Sequence, residues 1–363
     1  MRIAMIGDGE SPHLLKWARA LARVDDVELF VASSRRFDPG FDPVVPAARR
    51  LALQTTPRRS GGNARLLVQL PRLGAWLRRV DADWLNPHYL TSHGTLAWLA
   101  RRAFRLRARI VASAWGSDVL VAPERSPLLR SVTSAVLRAA PLATSDSRHM
   151  ATRMLALGAR EVMTFPFGLE RLPPPPGEKD RWLFFANRAL EPLYRPDRVL
   201  QAFAAISGVV PTARLVVANE GSLAAALRTQ AEALGLRVGR LEGGGQVEFV
   251  GRLDAAAQDR WYARSQWTLS LPASDSVAVS VLEAMAHGCI PLLSDLPANR
   301  ELVLDGDNGI VVPEAGLDPS VLPGLAARAS LVMRQNRAWI EANALIGPAI
   351  GRFVTRLRAL AAA

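Results

Sequence analysis

The 363-residue sequence has one cysteine, two lysines and no long hydrophobic run. The single Cys289 excludes an intrachain disulfide and, with no second thiol, argues against a zinc cluster. No stretch reaches the roughly 18 consecutive apolar residues that span a bilayer. The opening residues include Asp8 and no cleavage site for a secretory signal, so none is expected there. These features predict a cytoplasmic protein.

Aromatic residues are also scarce, at 6% of the chain. Few rings are available to stack on bases and no nucleic-acid-binding motif occurs, so nucleic acid is the weakest candidate among anionic partners. The sequence has neither an H-x-x-E-H pattern nor a Cys/His cluster, and we expect no metal site. With 49% hydrophobic and 21% charged residues the composition is that of a folded globular protein, and the length predicts two domains.

Positive charge is concentrated in the first half of the chain. Residues 1–172 hold 26 Lys+Arg and 14 Asp+Glu, an excess of 12, whereas residues 173–363 hold 19 of each. The excess is densest from Arg49 to Arg109, where 13 arginines face only two aspartates. This asymmetry predicts an anionic partner for the first half, either the phosphates of a substrate or an anionic membrane surface.

Short apolar runs alternate with stretches of helical period along both halves. RIAMIG, VELFVAS and ARIVASAWG in the first half, and RWLFFAN, ARLVVAN, QVEFVG, QWTLSLPA and CIPLLSD in the second, have the composition of buried parallel strands. Segments such as HLLKWARALARV and RPDRVLQAFAAI read as helices between them. The pattern predicts an α/β protein with two doubly wound, Rossmann-like domains, and ligands at the carboxyl ends of the strands in a cleft between them.

A proline-rich segment, LPPPPGEKD at residues 172–180, separates the two halves where the charge also changes. Four consecutive prolines fit neither a helix nor a central strand and favour an extended connection. We therefore predict domains at residues 1–172 and 173–344, followed by a helix at about 345–363.

Two carboxylates flank a predicted helix start in the string SDSVAVSVLEAMAHG. Asp275 lies in the loop after a strand, and Glu283 lies about one turn into the helix that runs from Val279 to His287. The backbone N–H groups at such a helix start bind phosphate, and neighbouring carboxylates accept hydrogen bonds from sugar hydroxyls. The structural alternative is that Asp275 is only a helix cap and Glu283 only a surface charge.

The run SDSVAVSVLEAMAHGCIPLLSDLPANRELVLDGDNGIVV resembles the donor-binding segment of the retaining glycosyltransferase family 4, which has the GT-B fold. Further stretches resemble this family in the same order and, together with that run, cover most of the chain. They are MRIAMIGDGESPHLLKWARALA, DADWLNPHYLTSHGTLAWLA, ASAWGSDVL, FPFGLE, RALEPLYRPDRVLQAF, VVANEGSL and VEFVGRL. The resemblance implies that the last helix returns to the first domain.

The resemblance also implies roles for individual residues. Arg188 would neutralise the leaving diphosphate, Asp275 would contact the transferred sugar, and His88 would lie by the reacting centre on the acceptor side. Glu283 would hold the ribose of the nucleotide. The remaining residues implied to contact the nucleotide-sugar are Gly7, Gly9, Glu220, Gly221, Val250, Gly251, Ser276, Val277, Ala278 and Val279.

Four positions depart from the family pattern. Asp275 stands where the family usually has glutamate, and Ser276 and Ala278 stand where it usually has glycines. Tyr194 stands where the family usually has a lysine that contacts phosphate. The adjacent Arg195 is the candidate to replace that cation.

The predicted function is transfer of a sugar from a nucleotide-sugar, UDP- or GDP-linked, to a glycan or lipid-linked acceptor with retention and without a metal, in cell-envelope polysaccharide synthesis. The resemblance implies no cofactor beyond the donor itself. Peripheral binding at the inner membrane surface is expected from the basic first half. Two alternatives remain, a catalytically silent homologue that acts as a binding partner and a nucleotide-sugar 2-epimerase. A dehydrogenase is disfavoured because GDGE is not followed by the glycine of a G-x-G-x-x-G motif.

Overall fold

The structure is a computed structural model of the chain, and it describes residues 1–56 and 64–362. Arg58 and Arg59 of the arginine-rich stretch, and Ala363 of the predicted last helix, lie outside the described residues. The chain forms two compact units. Unit 1 comprises Met1–Pro166 and Ile346–Ala363, and unit 2 comprises Phe167–Leu345.

Unit 1 contains a seven-stranded sheet in which every strand pair is parallel, with the order β3-β2-β1-β4-β5-β6-β7. Its strands are β1 (Arg2–Gly7), β2 (Glu28–Ser33), β3 (Arg50–Ala52), β4 (Trp84–Pro87), β5 (Arg109–Ser113), β6 (Leu142–Ser145) and β7 (Val162–Thr164). All residues of β1 after Arg2 are buried, as expected of a strand covered by helices on both faces.

The first eight helices connect these strands. They are α1 (Pro12–Ala22), α2 (Ala64–Leu67), α3 (Leu70–Val80), α4 (Thr95–Ala103), α5 (Ser117–Leu120), α6 (Ala122–Arg125), α7 (Pro127–Ala139) and α8 (Arg148–Ala156). Helix α1 begins with a proline in its first turn and buries Leu14, Trp17 and Leu21 on one face, which is the spacing of an amphipathic helix against a sheet.

Unit 2 repeats the same plan with a six-stranded parallel sheet of order β10-β9-β8-β11-β12-β13. Its strands are β8 (Asp180–Ala186), β9 (Arg214–Ala218), β10 (Val247–Gly251), β11 (Ser265–Ser270), β12 (Ile290–Ser294) and β13 (Ile310–Val312). Its helices are α9 (Pro196–Val209), α10 (Ala224–Ala233), α11 (Ala255–Arg264), α12 (Val279–Ala286), α13 (Pro297–Arg300), α14 (Leu322–Ala327) and α15 (Ala329–Asn343).

Helix α12 ends where the sequence predicts. Gly288 adopts a left-handed φ of 79°, and its N–H donates to the carbonyl of Met285 at 3.0 Å. Glycine tolerates this conformation without steric cost, so it terminates the helix.

The chain leaves unit 1 between Pro166 and Phe167, before the predicted boundary after residue 172. Leu169 is the reason, because its N–H donates to the carbonyl of Ala344 at 2.8 Å and its side chain belongs to a core cluster of unit 2. The last helix, α16 (Ile346–Ala362), belongs to unit 1. Its Phe353 packs against Trp17 of α1 with ring centroids 5.7 Å apart.

The two sheets confirm the predicted fold class of two Rossmann-like domains. Two short edge strands, β3 and β13, were not predicted as strands. Among residues 1–56 and 64–362, no helix is both long and apolar enough to cross a bilayer.

Candidate functional site

The predicted donor residues of unit 2 gather at the carboxyl ends of β8 and β11 and at the start of α12. Arg188 follows β8, and Asp275 lies in the loop between β11 and α12. Ala278 is the residue that caps α12, and its side chain forms no capping hydrogen bond. The first N–H groups of this helix therefore have no side-chain acceptor from the cap, which suits them to an anion.

Arg188 lies between an acid and an aromatic ring. Its Nη2 is 2.7 Å from Oδ2 of Asp275, and its guanidinium is 4.4 Å from the ring centroid of Tyr194. The two ion-pair partners are only 16% and 20% exposed. Tyr194 lies in a short turn, Pro192–Tyr194, and the carbonyl of Leu193 in that turn accepts a hydrogen bond from Ala273 N at 2.9 Å. The turn and the Asp275 loop are thus joined.

The charge of Arg188 is maintained against burial. Desolvation by burial lowers its pKa, but the attraction of Asp275 and contacts with Tyr194 outweigh this effect and raise the pKa above its ordinary value. Arg188 is therefore a permanently charged cation in a partly dry site, where electrostatic interactions are stronger than in water.

Glu283 belongs to the same end of α12. Its Oε2 accepts a hydrogen bond from Nε2 of Gln258 at 2.9 Å, and its side chain is partly buried. The negative charge of Glu283 and, above all, burial raise the pKa of Tyr262 well above its ordinary value. Glu283 is thus neither a freely solvated surface charge nor a helix cap.

A chain of side-chain hydrogen bonds supports this site. Asn219 donates to Asn187 at 2.8 Å, Asn187 donates to the Tyr262 hydroxyl at 3.1 Å, and that hydroxyl donates to the Ser280 carbonyl at 3.0 Å. Asn187 and Asn219 each directly follow a strand, in the strings FAN and VAN, so their repetition was a readable signal. Neither asparagine was predicted as a site residue, and Gln258 and Tyr262 were not predicted either.

Four predicted nucleotide contacts lie at the ends of β9 and β10. Glu220 is exposed, Val250 and Gly251 are partly buried, and the carbonyl of Gly251 accepts a hydrogen bond from Asn219 N at 2.7 Å. Gly221 has a packing role of its own, because a Cβ there would come within 2.3 Å of the Leu190 carbonyl oxygen.

Arg195, the candidate replacement for the family's lysine, has a partner within unit 2. Its guanidinium forms two hydrogen bonds to the Glu314 carboxylate, at 2.6 and 3.1 Å, and Arg198 binds the same carboxylate at 2.5 Å. The hydrogen bond to Glu314 raises the pKa of Arg195. The positive charge of Arg195 is therefore neutralised by Glu314 in this structure, and a phosphate would have to compete with that carboxylate for it.

The loop from Ser276 to Val279 is compact. Ser276, Val277 and Ala278 are buried, and Ser276 N donates to Oδ1 of Asp275 at 3.0 Å. Asp275 therefore binds the loop backbone with one oxygen and Arg188 with the other.

Unit 1 presents a different polar cluster, centred on His88 after β4. The indole Nε1 of Trp115 is 3.1 Å from His88 Nδ1, and His88 Nε2 is 3.1 Å from Asn86 Oδ1. Asn86 Nδ2 donates to the Val111 carbonyl and to Ser113 Oγ, both at 2.9 Å. Both ring nitrogens of His88 are therefore engaged inside unit 1.

These partners fix the protonation of His88. An indole N–H is only a donor, so Nδ1 must accept. A backbone carbonyl is only an acceptor, so the Asn86 amide must face Val111 with its nitrogen and His88 with its oxygen. Nε2 consequently carries the proton. Burial, followed by repulsion from His93, lowers the pKa of His88 to about 3, which keeps the ring neutral.

The W-G-S-D segment holds the loop beside His88. The buried Asp118 accepts hydrogen bonds from Leu90 N at 2.7 Å and Trp115 N at 3.0 Å. Burial raises the pKa of Asp118 to about 6. The hydroxyls of Tyr89 and Ser117 hydrogen-bond each other across the same loop.

Gly7 and Gly9, the predicted phosphate-approach glycines, lie in the loop after β1. Gly9 N donates to Ser33 Oγ at 2.8 Å, and a Cβ at Gly9 would come within 2.5 Å of the Arg36 carbonyl oxygen. The three atoms nearest to a Cβ at Gly7 all belong to the Leu14 side chain, the first of them at 2.6 Å. Close packing against backbone thus requires glycine at position 9. At position 7 the nearest obstacle is a side chain, so the requirement for glycine is weaker.

Residues 1–56 and 64–362 contain no group of three or more His, Cys, Asp or Glu side chains placed to hold a metal ion. The sequence contains two D-x-D strings, Asp81–Ala82–Asp83 and Asp305–Gly306–Asp307, and each has a structural partner. Asp83 accepts a hydrogen bond from Arg2 N at 2.7 Å, and Asp305 accepts one from Val311 N at 2.8 Å.

Both units match known glycosyltransferase families. Residues 2–147 match the family model described as glycosyl transferase 4-like, and residues 170–322 match the model described as glycosyl transferases group 1. Two such sheets in one chain, together with the solved structures that share this fold, place the chain in the GT-B class. Within it, the two matches identify the chain as a member of the family 4 type of glycosyltransferases.

Solved structures share the whole fold. Anabaena HepE in complex with UDP and glucose is 14% identical, with a TM-score of 0.76 over 98% of this chain and 100% of that one. Sucrose-phosphate synthase from Thermosynechococcus elongatus is 16% identical, with a TM-score of 0.69 over 99% and 100% of the chains. The lipopolysaccharide outer core galactosyltransferase WaaB is 16% identical, with a TM-score of 0.62 over 93% and 98%. At these identities the likeness shows the fold. No match to the chain is found among curated proteins.

Proposed function

We propose that this protein transfers a sugar from a nucleoside diphosphate sugar to an acceptor, with retention at the anomeric carbon. The observation that carries the proposal is a partly buried, permanently charged Arg188 paired with Asp275, in the loop that leads to the start of α12, where no side chain caps the helix. Such a group stabilises the negative charge that develops on a departing diphosphate. The helix start contributes its N–H groups to the same charge.

The donor contacts in this proposal are those that the family resemblance implies. Glu283 accepts hydrogen bonds from the ribose hydroxyls, and Asp275 accepts them from the transferred sugar. Loop amides from Ser276 to Val279, together with residues at the ends of β9 and β10, complete the nucleotide site. Anabaena HepE is solved with UDP-glucose, so a uridine nucleotide is the first donor to test. Catalysis without a metal and by attack on the same face of the sugar follows from the family resemblance.

His88 has a positioning role in this proposal. Its neutral ring receives the Trp115 indole and anchors it to Asn86 at the carboxyl end of β4. We assign the acceptor to unit 1, with Trp115 as part of the surface that His88 orients.

The first test is a thermal-shift panel with UDP, GDP, ADP, TDP and CMP. It compares the native chain with Glu283→Ala and with the matched control Glu232→Ala, which removes an exposed glutamate of α10. A ligand at 100 times its dissociation constant stabilises by about 2.7 kcal/mol. One nucleotide should shift the native chain and the control but not Glu283→Ala. No shift with any nucleotide would refute the donor site.

A nucleotide that binds without turnover would favour a silent homologue. Isomerisation of the free nucleotide-sugar with no acceptor would favour a 2-epimerase. Both outcomes are read from the same purified protein by following the nucleotide-sugar by NMR, which also reports the anomeric configuration of any product.

We further propose that unit 1 binds an anionic membrane, where a lipid-linked acceptor of cell-envelope polysaccharide synthesis resides. The basic surface that supports this consists of exposed arginines on α3, on α4 and in the loop that follows α4: Arg72, Arg78, Arg79, Arg102, Arg105 and Arg107. Helix α3 packs closely against the end of α4. A Cβ at Gly74 of α3 would come within 2.3 Å of the ring of Phe104, the residue that follows α4. Leu67 and Val68, before α3, are 44% and 76% exposed and add apolar contact.

Co-sedimentation with phosphatidylglycerol vesicles tests this surface. Each arginine near an anionic surface contributes about 1 kcal/mol, so the triple variant Arg72→Gln, Arg79→Gln, Arg107→Gln should bind about 100-fold more weakly. The matched control replaces three exposed arginines of unit 2, Arg240, Arg260 and Arg334, with glutamine. Equal loss in both triples, or binding that salt does not weaken, would contradict the proposal.

A further inference from the structure

The ion pair between Arg188 and Asp275 joins two residues that are each predicted to bind a different part of the substrate. Arg188 is the cation for the diphosphate, and Asp275 is the acceptor for sugar hydroxyls, yet in this structure their charges neutralise each other at 2.7 Å. A diphosphate must therefore compete with Asp275 for the guanidinium. In this structure the Asp275 carboxylate is the anion that pairs with the Arg188 guanidinium.

The cost of this competition is set by burial. The side chains of Arg188 and Asp275 are only 16% and 20% exposed. Leu190, Pro196 and Val217 line an apolar hollow beside Arg188 and limit its access to water. When one member of a buried pair loses its partner, the remaining charge is left poorly solvated, which is more costly than loss of an exposed pair.

Tyr194 keeps the guanidinium in place while partners exchange. Its ring centroid is 4.4 Å from the guanidinium carbon, and its turn is tied to the Asp275 loop through Ala273 N and Leu193 O. A lysine at position 194 would provide a second cation for the diphosphate. Because this chain has a tyrosine there, Asp275 and the diphosphate compete for the single positive charge of Arg188 among the residues Arg188, Tyr194 and Asp275. The departure from the family pattern therefore sharpens the competition.

Free nucleoside diphosphate and intact nucleotide-sugar differ in what they offer Asp275. The free diphosphate takes Arg188 and leaves the Asp275 carboxylate unpaired beside a new negative charge. The intact donor takes Arg188 but also brings sugar hydroxyls, which donate to the released carboxylate. Hydrogen bonds to a charged group are among the stronger ones in proteins.

We propose that the Arg188–Asp275 pair is a specificity device that favours the intact nucleotide-sugar over the free nucleoside diphosphate and so promotes release of that product. The device rests on the proposed function of the donor site. It assigns Asp275 a second role, the displacement of the product, in addition to contact with the transferred sugar.

Calorimetric titration of the full chain with UDP and with UDP-glucose tests the device. In Asp275→Asn the competing charge is absent while the side-chain shape is kept. The Kd for UDP should fall about tenfold, and the preference for UDP-glucose over UDP should decrease by at least the same factor. Asp275→Glu restores the charge and should bind UDP as weakly as the native chain. GDP, ADP and pyrophosphate are titrated in parallel, so that the result does not depend on the base.

The matched control is Asp180→Asn. Asp180 pairs with Arg264 at 3.1 Å at the amino end of β8, so it removes an Arg–Asp pair from the opposite edge of the same sheet. It should leave both dissociation constants unchanged. Thermal unfolding of each variant verifies that unit 2 remains folded, and if Asp275→Asn does not fold, Asp275→Ser is titrated in its place.

Two failures are distinguishable. If UDP binds the native chain and Asp275→Asn with equal affinity, the competition does not exist, even if UDP-glucose binding weakens. In that case Asp275 is only a sugar ligand. If none of the nucleotides or pyrophosphate binds either protein, the donor site is refuted, and the specificity device is refuted with it.

Discussion

The two units place polar side chains at the same edge of the same kind of sheet, but they use them differently. In unit 1, Trp115, His88, Asn86 and Ser113 form a neutral chain in which each donor meets an acceptor. In unit 2, Arg188 and Asp275 carry full charges and pair with each other, while Asp275 also binds the loop backbone and Arg188 also contacts the Tyr194 ring.

A neutral, saturated chain holds a shape, because breaking any one hydrogen bond leaves a buried group unpaired. A pair of opposite charges near the protein surface can exchange its partners for those of a charged ligand. We therefore propose that the chemistry belongs to unit 2, and that His88, the histidine that the sequence singles out in unit 1, positions its neighbours.

The largest expected difference between the two units is in catalysis, and Arg188→Met tests it. Removal of the cation should lower kcat/KM by about 1,000-fold, or about 4 kcal/mol of transition-state stabilisation, since a preorganised charge in a partly dry site is lost. His88→Gln keeps an acceptor for Trp115 and a donor for Asn86 and should lose less than tenfold. Initial rates with the donor that the nucleotide panel selects measure both. An equally large loss in His88→Gln would mean that His88 takes part in the chemistry.

Gly221→Ala distinguishes a packing glycine from a ligand-contacting one in unit 2. The new Cβ would lie 2.3 Å from the Leu190 carbonyl oxygen, and backbone cannot move aside as a side chain can. We expect the free energy of unfolding to fall by about 3 kcal/mol. At Gly7 of unit 1 the obstacle is only the Leu14 side chain, so Gly7→Ala should cost about 1 kcal/mol.

Gly208→Ala is the matched control, since a Cβ there meets nothing within 4 Å and the residue lies within α9. Alanine in a helix should be neutral or stabilising by up to about 1 kcal/mol. Denaturant unfolding measures all three variants. If Gly221→Ala were as stable as Gly208→Ala, the close packing against Leu190 would not constrain the site.

Most of the fold was predictable because parallel strands covered on both faces are continuous apolar runs. Such runs are visible in RIAMIG and RWLFFAN without any partner sequence. The strands β3 and β13 were missed because each has three residues at a sheet edge, too short for a period to show. The predicted boundary after residue 172 follows the proline-rich segment, whereas unit 2 begins at Phe167 and includes the Leu169–Ala344 hydrogen bond, which no local pattern indicates.

The site was predictable as a set of positions but not as a set of contacts. The carboxylate spacing and the family resemblance predicted one site for Arg188, Asp275 and Glu283. The partners that the structure gives to predicted site residues are remote in sequence: Glu314 lies 119 residues from Arg195, and Gln258 lies 25 residues from Glu283. No local pattern indicates such pairs, so neither the engagement of Arg195 nor the Arg188–Asp275 pair could be read from the sequence.

The pH dependence of the free energy of unfolding tests whether His88 of unit 1 is neutral. Because burial lowers the pKa of His88 to about 3 from an ordinary 6.5, the unfolded chain takes up a proton below pH 6.5 while the folded chain does not. Stability is therefore lost as the pH falls, by at most about 1.4 kcal/mol per pH unit. Asp118, whose pKa is raised to about 6, acts in the opposite direction and masks part of this loss in the native chain.

His88→Gln removes the histidine contribution and retains that of Asp118, so the difference between the variant and the native chain isolates His88. Between pH 7.5 and pH 5 this difference in the free energy of unfolding should move in favour of the variant by about 2 kcal/mol. Denaturant unfolding at the two pH values measures it. If the difference were the same at both, the ring would be protonated in the folded state, and His88 would be a titrating group of unit 1 rather than a fixed neutral one.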